Sequence, residues 1–291
     1  MPTRVRIALF AGCFRMFYHL AAKQRLIAIH NLTCAFPEKD MSEIIRIAKG
    51  SYRNMGIIAA EFFDIPSLNQ KNVEDRVEIE GLEHCINALK KNRGLLTFGA
   101  HIGNWELEAA AVALLLKPMA VVYRTLDSAI LENLVTWVRS ATGNIPLDKT
   151  LAMRPIIRHL KKNGIVGLMI DQNMAWQEGV FVDFFGRPAA TSNGLALLAL
   201  HTGAPVIPGM TVRVKNGKYR LIVGEEVEII RTGDRDLDVI SNTQKFTRIV
   251  EEMVRKYPEQ WFWVHQRWKT KVCQIQDSSH HRRILTPGES R

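Results

Sequence analysis

The sequence predicts an α/β fold in which a mostly parallel sheet is flanked by helices and preceded by an N-terminal helical region. From residue 77 onwards, short apolar runs alternate with longer segments of helical periodicity, as in strands joined by crossover helices. Residues 1–75 show only helical periodicity. Asn216-Gly217 between two apolar runs predicts a hairpin, so one edge of the sheet is expected to be antiparallel.

The N-terminal region is expected to begin with a basic helix over residues 4–29. It places Phe10, Phe14 and Phe17 on one face beside several arginines and lysines, as in helices that lie in a membrane interface. The alternative is a surface helix that packs this aromatic stripe on the core. No run reaches the roughly 18 apolar residues of a spanning helix. Pro37 and its polar neighbours end the first part, and residues 41–63 show the periodicity of the next helix.

The elements of the core, expected over residues 76–272, follow from the same patterns. Short apolar or β-branched runs predict strands at 77–79, 95–98, 119–123, 145–147, 165–170, 206–214 and 219–223. Helical periodicity and capping residues predict helices over 82–91, from the segment after residue 101 to about 116, and over 128–142, 151–162, 193–201 and 237–257. Residues 273–291 are expected to form a polar tail.

The net charge of +10 indicates an anionic partner: nucleic acid, anionic lipid or an acidic protein. The chain lacks zinc-finger, P-loop and RNA-binding signatures, which disfavours nucleic acid. Its cysteines, Cys13, Cys34, Cys85 and Cys273, are widely spaced, which is typical of reduced thiols rather than of a disulfide framework or a metal site.

His101-Ile102-Gly103-Asn104-Trp105-Glu106 is the strongest candidate for chemistry, because it pairs a base with a carboxylate directly after an apolar run. On one continuous helix the two side chains would diverge, but they can meet if His101 lies in a turn and Glu106 in the first turn of the next helix. Gly99 and Gly103 allow such a turn. We therefore predict that His101 is a general base and Glu106 the carboxylate that orients it.

Further polar residues follow other predicted strands, at the edge where sites of parallel sheets gather. Tyr123-Arg124 follows one strand and Asp171-Gln172 another. Arg124, Arg139 and Asp171 are expected to line a head-group site, since guanidinium groups bind phosphate and carboxylate. The alternatives are a solvated helix face for Arg139 and a cap or turn role for Asp171. The loop up to Thr191 precedes a helix N-terminus, which either binds an anion or is simply capped.

Several enzyme classes are disfavoured by missing motifs. Without Gly-x-Ser-x-Gly, a serine hydrolase of the α/β type is not expected, and without His-Glu-x-x-His a zincin is excluded. No dinucleotide-binding glycine fingerprint follows a strand. His201 and His265 are expected to be structural, the latter because it lies among aromatic residues.

Five ordered blocks resemble the bacterial lipid A biosynthesis (lauroyl/myristoyl) acyltransferase family of the lysophospholipid acyltransferase superfamily. They are Asn31-Leu32 with Ala35-Phe36-Pro37, Gly99 to Glu106, Tyr123-Arg124, Asp171-Gln172 with Phe184-Phe185-Gly186 and Ala190-Thr191, and Trp263 to Lys269. The resemblance implies an O-acyltransferase with a His101/Glu106 dyad and no metal or cofactor. It extends the substrate site to Asn104, Gln172 and Thr191.

The same resemblance implies the partners and the location. An acyl carrier protein or acyl-CoA would donate a fatty acyl chain to a hydroxyl of an anionic (glyco)lipid, foremost a lipid A precursor, at the cytoplasmic face of the bacterial inner membrane. The hydrophobic segment with which the family opens is shorter here and is broken by Arg15, so attachment is expected to be peripheral or shallow. The alternatives are another polar lipid as acceptor, such as a glycolipid or aminolipid, and a non-catalytic membrane-binding protein.

Overall fold

The computed structural model describes residues 1–271, and its centre is a seven-stranded sheet with the strand order β1-β9-β8-β2-β5-β3-β4. Strands β8, β2, β5, β3 and β4 run parallel, whereas β9 is antiparallel to β8 and β1 runs with β9. The predicted mostly parallel sheet with an antiparallel edge is thus confirmed. The strands are β1 (Val77–Glu80), β2 (Leu95–Gly99), β3 (Met119–Tyr123), β4 (Ile145–Asp148), β5 (Ile165–Met169), β6 (Gly179–Phe184), β7 (Arg187–Ser192), β8 (Val206–Arg213) and β9 (Tyr219–Val223).

Helices cover both faces of the sheet, because its strands alternate their apolar side chains between two cores. The helices are α1 (Thr3–Leu20), α2 (Ala22–Ala35), α3 (Met41–Phe62), α4 (Leu82–Leu89), α5 (Trp105–Leu115), α6 (Ala129–Ser140), α7 (Met153–Lys161), α8 (Gly194–Thr202) and α9 (Arg235–Lys256). Leu96 and Phe98 of β2 face a core shared with α2, α3, α8 and α9, whereas Leu95 faces a core shared with α4 and α5.

A two-stranded hairpin, β6–β7, stands where the sequence predicts only a loop leading into a helix. Its turn depends on left-handed backbone at Phe185 and Gly186, with φ values of +58° and +70°. A bulky residue rarely adopts such a φ, so sequence patterns give little warning of it. Elsewhere the predicted hairpin at Asn216-Gly217 is confirmed, with positive φ at both residues.

The N-terminal segment is two helices, not the single predicted one, because the chain breaks at Ala21 and turns by 88°. The aromatic stripe of α1 packs largely on α3: the Phe10 ring lies 6.3 Å from that of Phe63, and Phe14 joins the main core. Phe10 and Phe14 are half-buried by these contacts, as the alternative of a helix packed on the core expects, and their contact with a bilayer stays a prediction. Phe17 is 46% exposed, and further apolar side chains of the outer face are exposed as well: Val5, Leu9, Met16 and Leu20.

Within residues 1–271, no single helix has both the length and the apolarity needed to cross a membrane. The helices α1 and α2 meet those criteria only when they are taken together across their bend. Both helices, with α3, share the main core with the sheet, and the predicted boundary near residue 75 falls just before β1. The predicted tail, residues 273–291, lies outside the described residues.

Candidate active site

The candidate motif forms a sharp turn between β2 and α5. Gly103 has a φ of +56°, and a Cβ atom there would lie 1.6 Å from the carbonyl oxygen of Thr211, so only glycine fits. Asn104 ends the turn as the N-cap of α5, since its side-chain oxygen accepts the N–H of Leu107 at 3.0 Å. The strand–turn–helix setting predicted for His101 and Glu106 is confirmed.

The imidazole of His101 is held by Asp171. Its Nδ1 lies 2.8 Å from Oδ1 of Asp171, and the backbone N–H of His101 donates to Oδ2 at 2.9 Å. This corrects the prediction that Glu106 orients the imidazole. The cause is the sheet: β2 and β5 are parallel neighbours in a register that pairs Gly99 with Met169. Two residues beyond each strand, His101 and Asp171 therefore come opposite each other.

Asp171 is a buried carboxylate, only 3% exposed, that is satisfied on both oxygens. The indole N–H of Trp261 donates to Oδ2 at 2.8 Å, beside the bond from the backbone of His101. Burial favours a higher pKa for Asp171, but the charge of His101 and the hydrogen bonds to His101 and Trp261 lower the pKa below its usual range. An ionised carboxylate at Nδ1 places the proton of a neutral imidazole there, which leaves Nε2 as the basic nitrogen.

The surroundings of His101 favour its protonated form once it has accepted a proton. Burial lowers the pKa of His101, yet the charge and hydrogen bond of Asp171 raise it, and the net direction is upward from 6.5. The charge of Glu106 adds to this rise and that of Arg139 opposes it. The ring centre lies 5.0 Å from that of Trp105, and the His101 side chain is 21% exposed, so a ligand can reach the imidazole.

Glu106 and Arg139 form a bidentate ion pair between α5 and α6. The Nε and Nη2 atoms of Arg139 donate to the two carboxylate oxygens of Glu106 at 2.9 and 2.5 Å. The guanidinium also lies 5.1 Å from the ring centre of Tyr123. Burial lowers the pKa of Arg139, but Glu106 outweighs it and the net direction is upward. The sequence predicted both residues at the site without indicating that they bind each other.

Two residues predicted to bind substrate instead serve the fold. Asn104 is 1% exposed, and its amide donates to Glu61 while its oxygen caps α5. Thr191 is fully buried in β7, where it donates to Ala189 and accepts from Arg267. It does not stand at a helix N-terminus, because the unpredicted hairpin places it within a strand.

Two other predicted residues remain available to a ligand. Arg124, just after β3, has a side chain that is 73% exposed and a 3.5 Å contact with Asp127. Gln172, next to Asp171, is half-buried, and within residues 1–271 its side chain makes no hydrogen bond. Both lie at the carboxyl edge of the parallel strands, as predicted, but neither forms a hydrogen bond or ion pair with His101. Their binding role stays a prediction.

A buried hydrogen-bond network around Glu61, which the sequence analysis did not predict, holds Asn104 of the His101 turn. Glu61 of α3 is 3% exposed and accepts hydrogen bonds from Asn104 at 3.0 Å, Arg213 at 2.8 Å and the hydroxyl of Tyr219 at 2.6 Å. The signal in the sequence is a glutamate inside the apolar run Ala59-Ala60-Glu61-Phe62, since a buried carboxylate needs partners.

The segment around Trp261 closes the site from the other side. The backbone N–H of Phe262 donates to the carbonyl of His101 at 3.0 Å, and Gly103 donates to Gln260 at 3.0 Å. His265 is structural, as predicted: its Nε2 accepts the backbone N–H of Asn173 at 2.8 Å. Burial lowers the pKa of His265 to about 4, so it stays neutral near pH 7.

The sequence of the chain matches the family model described as "Bacterial lipid A biosynthesis acyltransferase" over residues 1–270. The chain belongs to this family. The match covers the whole described fold up to one residue from its end, so the His101 turn, Asp171 and the Glu106–Arg139 pair all lie within the family region.

Individual relatives in this acyltransferase family share about a quarter of their residues with the chain. A lipid A biosynthesis lauroyltransferase of Escherichia coli is 27% identical over 93% of this chain and 87% of its own length. A lipid A biosynthesis palmitoleoyltransferase of the same organism is 27% identical over 86% of this chain and 80% of its own length. A phosphatidylinositol mannoside acyltransferase of Mycolicibacterium smegmatis is 25% identical over 78% and 72%.

A second acidic residue of this acyltransferase, Glu108, lies one half-turn beyond Glu106 and points toward the sheet. Its Oε2 accepts the backbone N–H of Thr211 at 3.0 Å, and its Oε1 lies next to Gly99 and Gly209. Burial raises the pKa of Glu108 to about 8, against the lowering effect of the hydrogen bond from Thr211. Glu108 is therefore protonated in much of the population near pH 7.

The Glu108→Gln variant is expected to lose a pH dependence of stability. Since folding raises the pKa of Glu108 from 4.5 to about 8, its contribution to stability is complete below pH 4.5 and is lost as the pH rises through 8. In that window the free energy of unfolding of the wild type should fall relative to the variant by up to about 1.4 kcal/mol per pH unit. Urea titrations at several pH values measure this, with exposed Glu83→Gln as control. Parallel curves for wild type and Glu108→Gln would contradict the burial argument.

Proposed function

We propose that the protein is an O-acyltransferase that moves a fatty acyl chain from an acyl carrier protein or acyl-CoA thioester to a hydroxyl of a lipid A precursor. The observation that supports this most strongly is the His101–Asp171 pair, with 2.8 Å between Nδ1 and Oδ1. A histidine held in this way presents Nε2 as a base, which is what an alcohol needs in order to attack a thioester. Asp171 replaces Glu106 in the proposed dyad.

In the proposed reaction, Nε2 of His101 takes the proton of the acceptor hydroxyl while the hydroxyl oxygen bonds to the carbonyl carbon of the thioester. The tetrahedral intermediate then breaks its C–S bond, and the imidazolium returns the proton to the departing thiolate. The products are an ester and a thiol, so no further reactant is required. Asp171 stabilises the imidazolium through its charge, as the raised pKa of His101 indicates.

The proposed substrates follow from charge and from the relatives. An acyl carrier protein is acidic and lipid A precursors carry anionic groups, both of which suit a chain with a net charge of +10. We assign Arg124 and Gln172 to the acceptor's polar head, because they are accessible at the same edge of the sheet as His101. The Glu106–Arg139 pair would then line the site next to His101, where the two charges shift the pKa of the imidazole in opposite directions.

A second acceptor class belongs in the test, since one relative is a phosphatidylinositol mannoside acyltransferase at 25% identity. Two others act in lipid A biosynthesis at 27% identity over more of this chain, which favours lipid A. We place the reaction at the cytoplasmic face of the inner membrane, where carrier-bound acyl groups and a membrane lipid can meet, with peripheral attachment through α1 and α2.

The test is acyl transfer by the purified protein. Acyl carrier protein and CoA donors of several chain lengths would be combined with a lipid A precursor or a phosphatidylinositol mannoside, and products read by mass spectrometry. We expect one acyl chain to be added to the lipid A precursor, and almost none with His101→Ala. Acylation of the mannoside alone would reject lipid A as the acceptor, and equal turnover by His101→Ala would reject the base.

A further inference from the structure

Two loops at the carboxyl edge of the sheet are tied into one surface. Asp148 at the end of β4 accepts the backbone N–H of Thr125 at 3.1 Å and that of Thr150 at 2.8 Å, and both hydroxyls also donate to it. The backbone N–H of Lys149 donates to Tyr123 at 2.8 Å. The loop between β3 and α6 is thereby held against the loop between β4 and α7.

This joint surface exposes large apolar side chains, which we call the apolar rim: Leu126, Ile130, Leu131, Leu151 and Met153. Ile130 and Leu151 are 82% and 80% exposed, the highest values among the large apolar residues of the described chain. Trp137, 61% exposed, lies two turns after Ile130 and so on the same side of α6. Such a concentration marks an interaction surface rather than scattered surface residues.

Basic side chains lie next to the apolar rim. Arg124 and Lys149 contact the acidic Asp127 and Glu178 at 3.5 and 3.7 Å. Arg154 and Arg158, one turn apart on α7, are exposed and have no ion-pair partner within residues 1–271. These two unpaired guanidinium groups are available to the phosphate groups of an anionic lipid surface.

The apolar rim connects directly to the candidate active site. The backbone N–H of Leu126 donates to Glu132 at 2.8 Å, and the hydroxyl of Tyr123 donates to the other oxygen of the same carboxylate. Arg139 lies over the Tyr123 ring and pairs with Glu106, next to His101. A lipid that leaves a bilayer at the rim would reach the imidazole along this wall.

We infer that the apolar rim inserts into an anionic bilayer and is the side from which the acceptor lipid enters. The inference rests on the proposed function, because it takes the acceptor to be a membrane lipid. Exposed leucine, isoleucine and methionine side chains would enter the acyl region, the arginines would meet phosphate groups, and Trp137 would lie at head-group depth. It adds a second contact to that of α1 and α2, at the mouth of the site.

The experiment compares the rim variant Ile130→Ser/Leu151→Ser with a control variant that carries two changes of the same kind away from the rim, Ile86→Ser/Ile240→Ser. The side chains of Ile86 and Ile240 are 41% and 43% exposed. Binding to vesicles of phosphatidylcholine and phosphatidylglycerol is measured by co-sedimentation without donor or acceptor. We expect the rim variant to bind about a hundredfold more weakly, roughly tenfold per side chain. The control should bind vesicles as the wild type does. The Tm of the rim variant should stay unchanged, since Ile130 and Leu151 are 82% and 80% exposed.

Activity forms the second arm. With acceptor in vesicles, the rim variant should show a raised KM, whereas with a short soluble acceptor its kcat and KM should equal those of the wild type. Unchanged vesicle binding overturns the inference, as does a rim variant that changes only the KM for acyl carrier protein or only the monomer–dimer equilibrium. If neither the wild type nor any variant transfers acyl groups, yet the rim variant still loses vesicle binding, the proposed function fails and the membrane contact stands.

Discussion

We expect the His101→Ala and Asp171→Asn variants each to have a kcat/KM about 10²- to 10⁴-fold below that of the wild type. Without the imidazole of His101 the proposed reaction has no base to take the hydroxyl proton. With asparagine at position 171 the charge that favours the imidazolium is gone, and the bond to Nδ1 no longer selects one tautomer. The double variant should be little worse than either single one, because the two residues act as a unit.

The pH dependence of Asp171→Asn separates this role from simple loss of structure. Protonation of His101 in the free enzyme should reduce kcat/KM on the acid side, with a midpoint above 6.5, because the net shift of its pKa is upward. Asp171 is the largest contributor that raises this pKa, whereas burial lowers it. In Asp171→Asn burial remains, so the midpoint should move to lower pH.

Steady-state kinetics across pH with wild type, Asp171→Asn and Asp171→Glu would measure both effects. His265→Gln serves as a matched control, since His265 is also a buried histidine near the site but is neutral and bonded to the backbone of Asn173. It should keep the acid midpoint. An Asp171→Asn enzyme that is folded, nearly as active as the wild type and unshifted in pH would show that Asp171 does not orient the base.

Breaking the Glu106–Arg139 pair is expected to cost about 10²-fold or more in kcat/KM and about 1–3 kcal/mol of stability per single change. Each partner is at least partly buried, with side-chain exposures of 11% and 21%, so removing one leaves an uncompensated charge beside His101. Arg139→Lys should recover little, because an ammonium group cannot reproduce the two parallel bonds from Nε and Nη2.

The two halves of this pair should shift the acid midpoint in opposite directions. The charge of Glu106 raises the pKa of His101 and that of Arg139 lowers it, so Glu106→Gln should move the midpoint to lower pH and Arg139→Gln to higher pH. A double-variant cycle with urea denaturation gives the coupling in stability, and pH–rate profiles give the coupling to the base. Shifts in the same direction for both would mean that the pair acts on His101 through structure rather than charge.

The hydrogen-bond partner of His101 could not be predicted from the sequence. Glu106 lies five residues away and was the natural choice, whereas Asp171 lies 70 residues away. Choosing Asp171 requires knowing that β2 and β5 are neighbours, although β3 and β4 come between them in the chain. Strand order depends on how whole layers pack, and no local pattern encodes it.

The contacts of the aromatic stripe of α1 also depend on the tertiary structure. Phe10 and Phe14 have the spacing of a helix face, but spacing does not reveal what the face contacts. The close approach of α3, where a Cβ on Gly56 would lie 2.8 Å from the carbonyl oxygen of Phe10, decides it. The β6–β7 hairpin, with a phenylalanine at positive φ, is likewise stabilised by tertiary contacts, among them the backbone N–H of Phe185 donating to Glu251 of α9.

The α/β class, the seven strands of the sheet, the turn that carries His101 and the family could all be read from the sequence, because they depend on local periodicity, turn residues and ordered motifs. The folded chain was needed to see that Asp171 holds the imidazole, that Glu106 binds Arg139, and that Asn104 and Thr191 are buried within the fold. The difference is one of range: neighbours a few residues away set the type of an element, whereas strand order and helix packing across the whole chain set its hydrogen-bond partners.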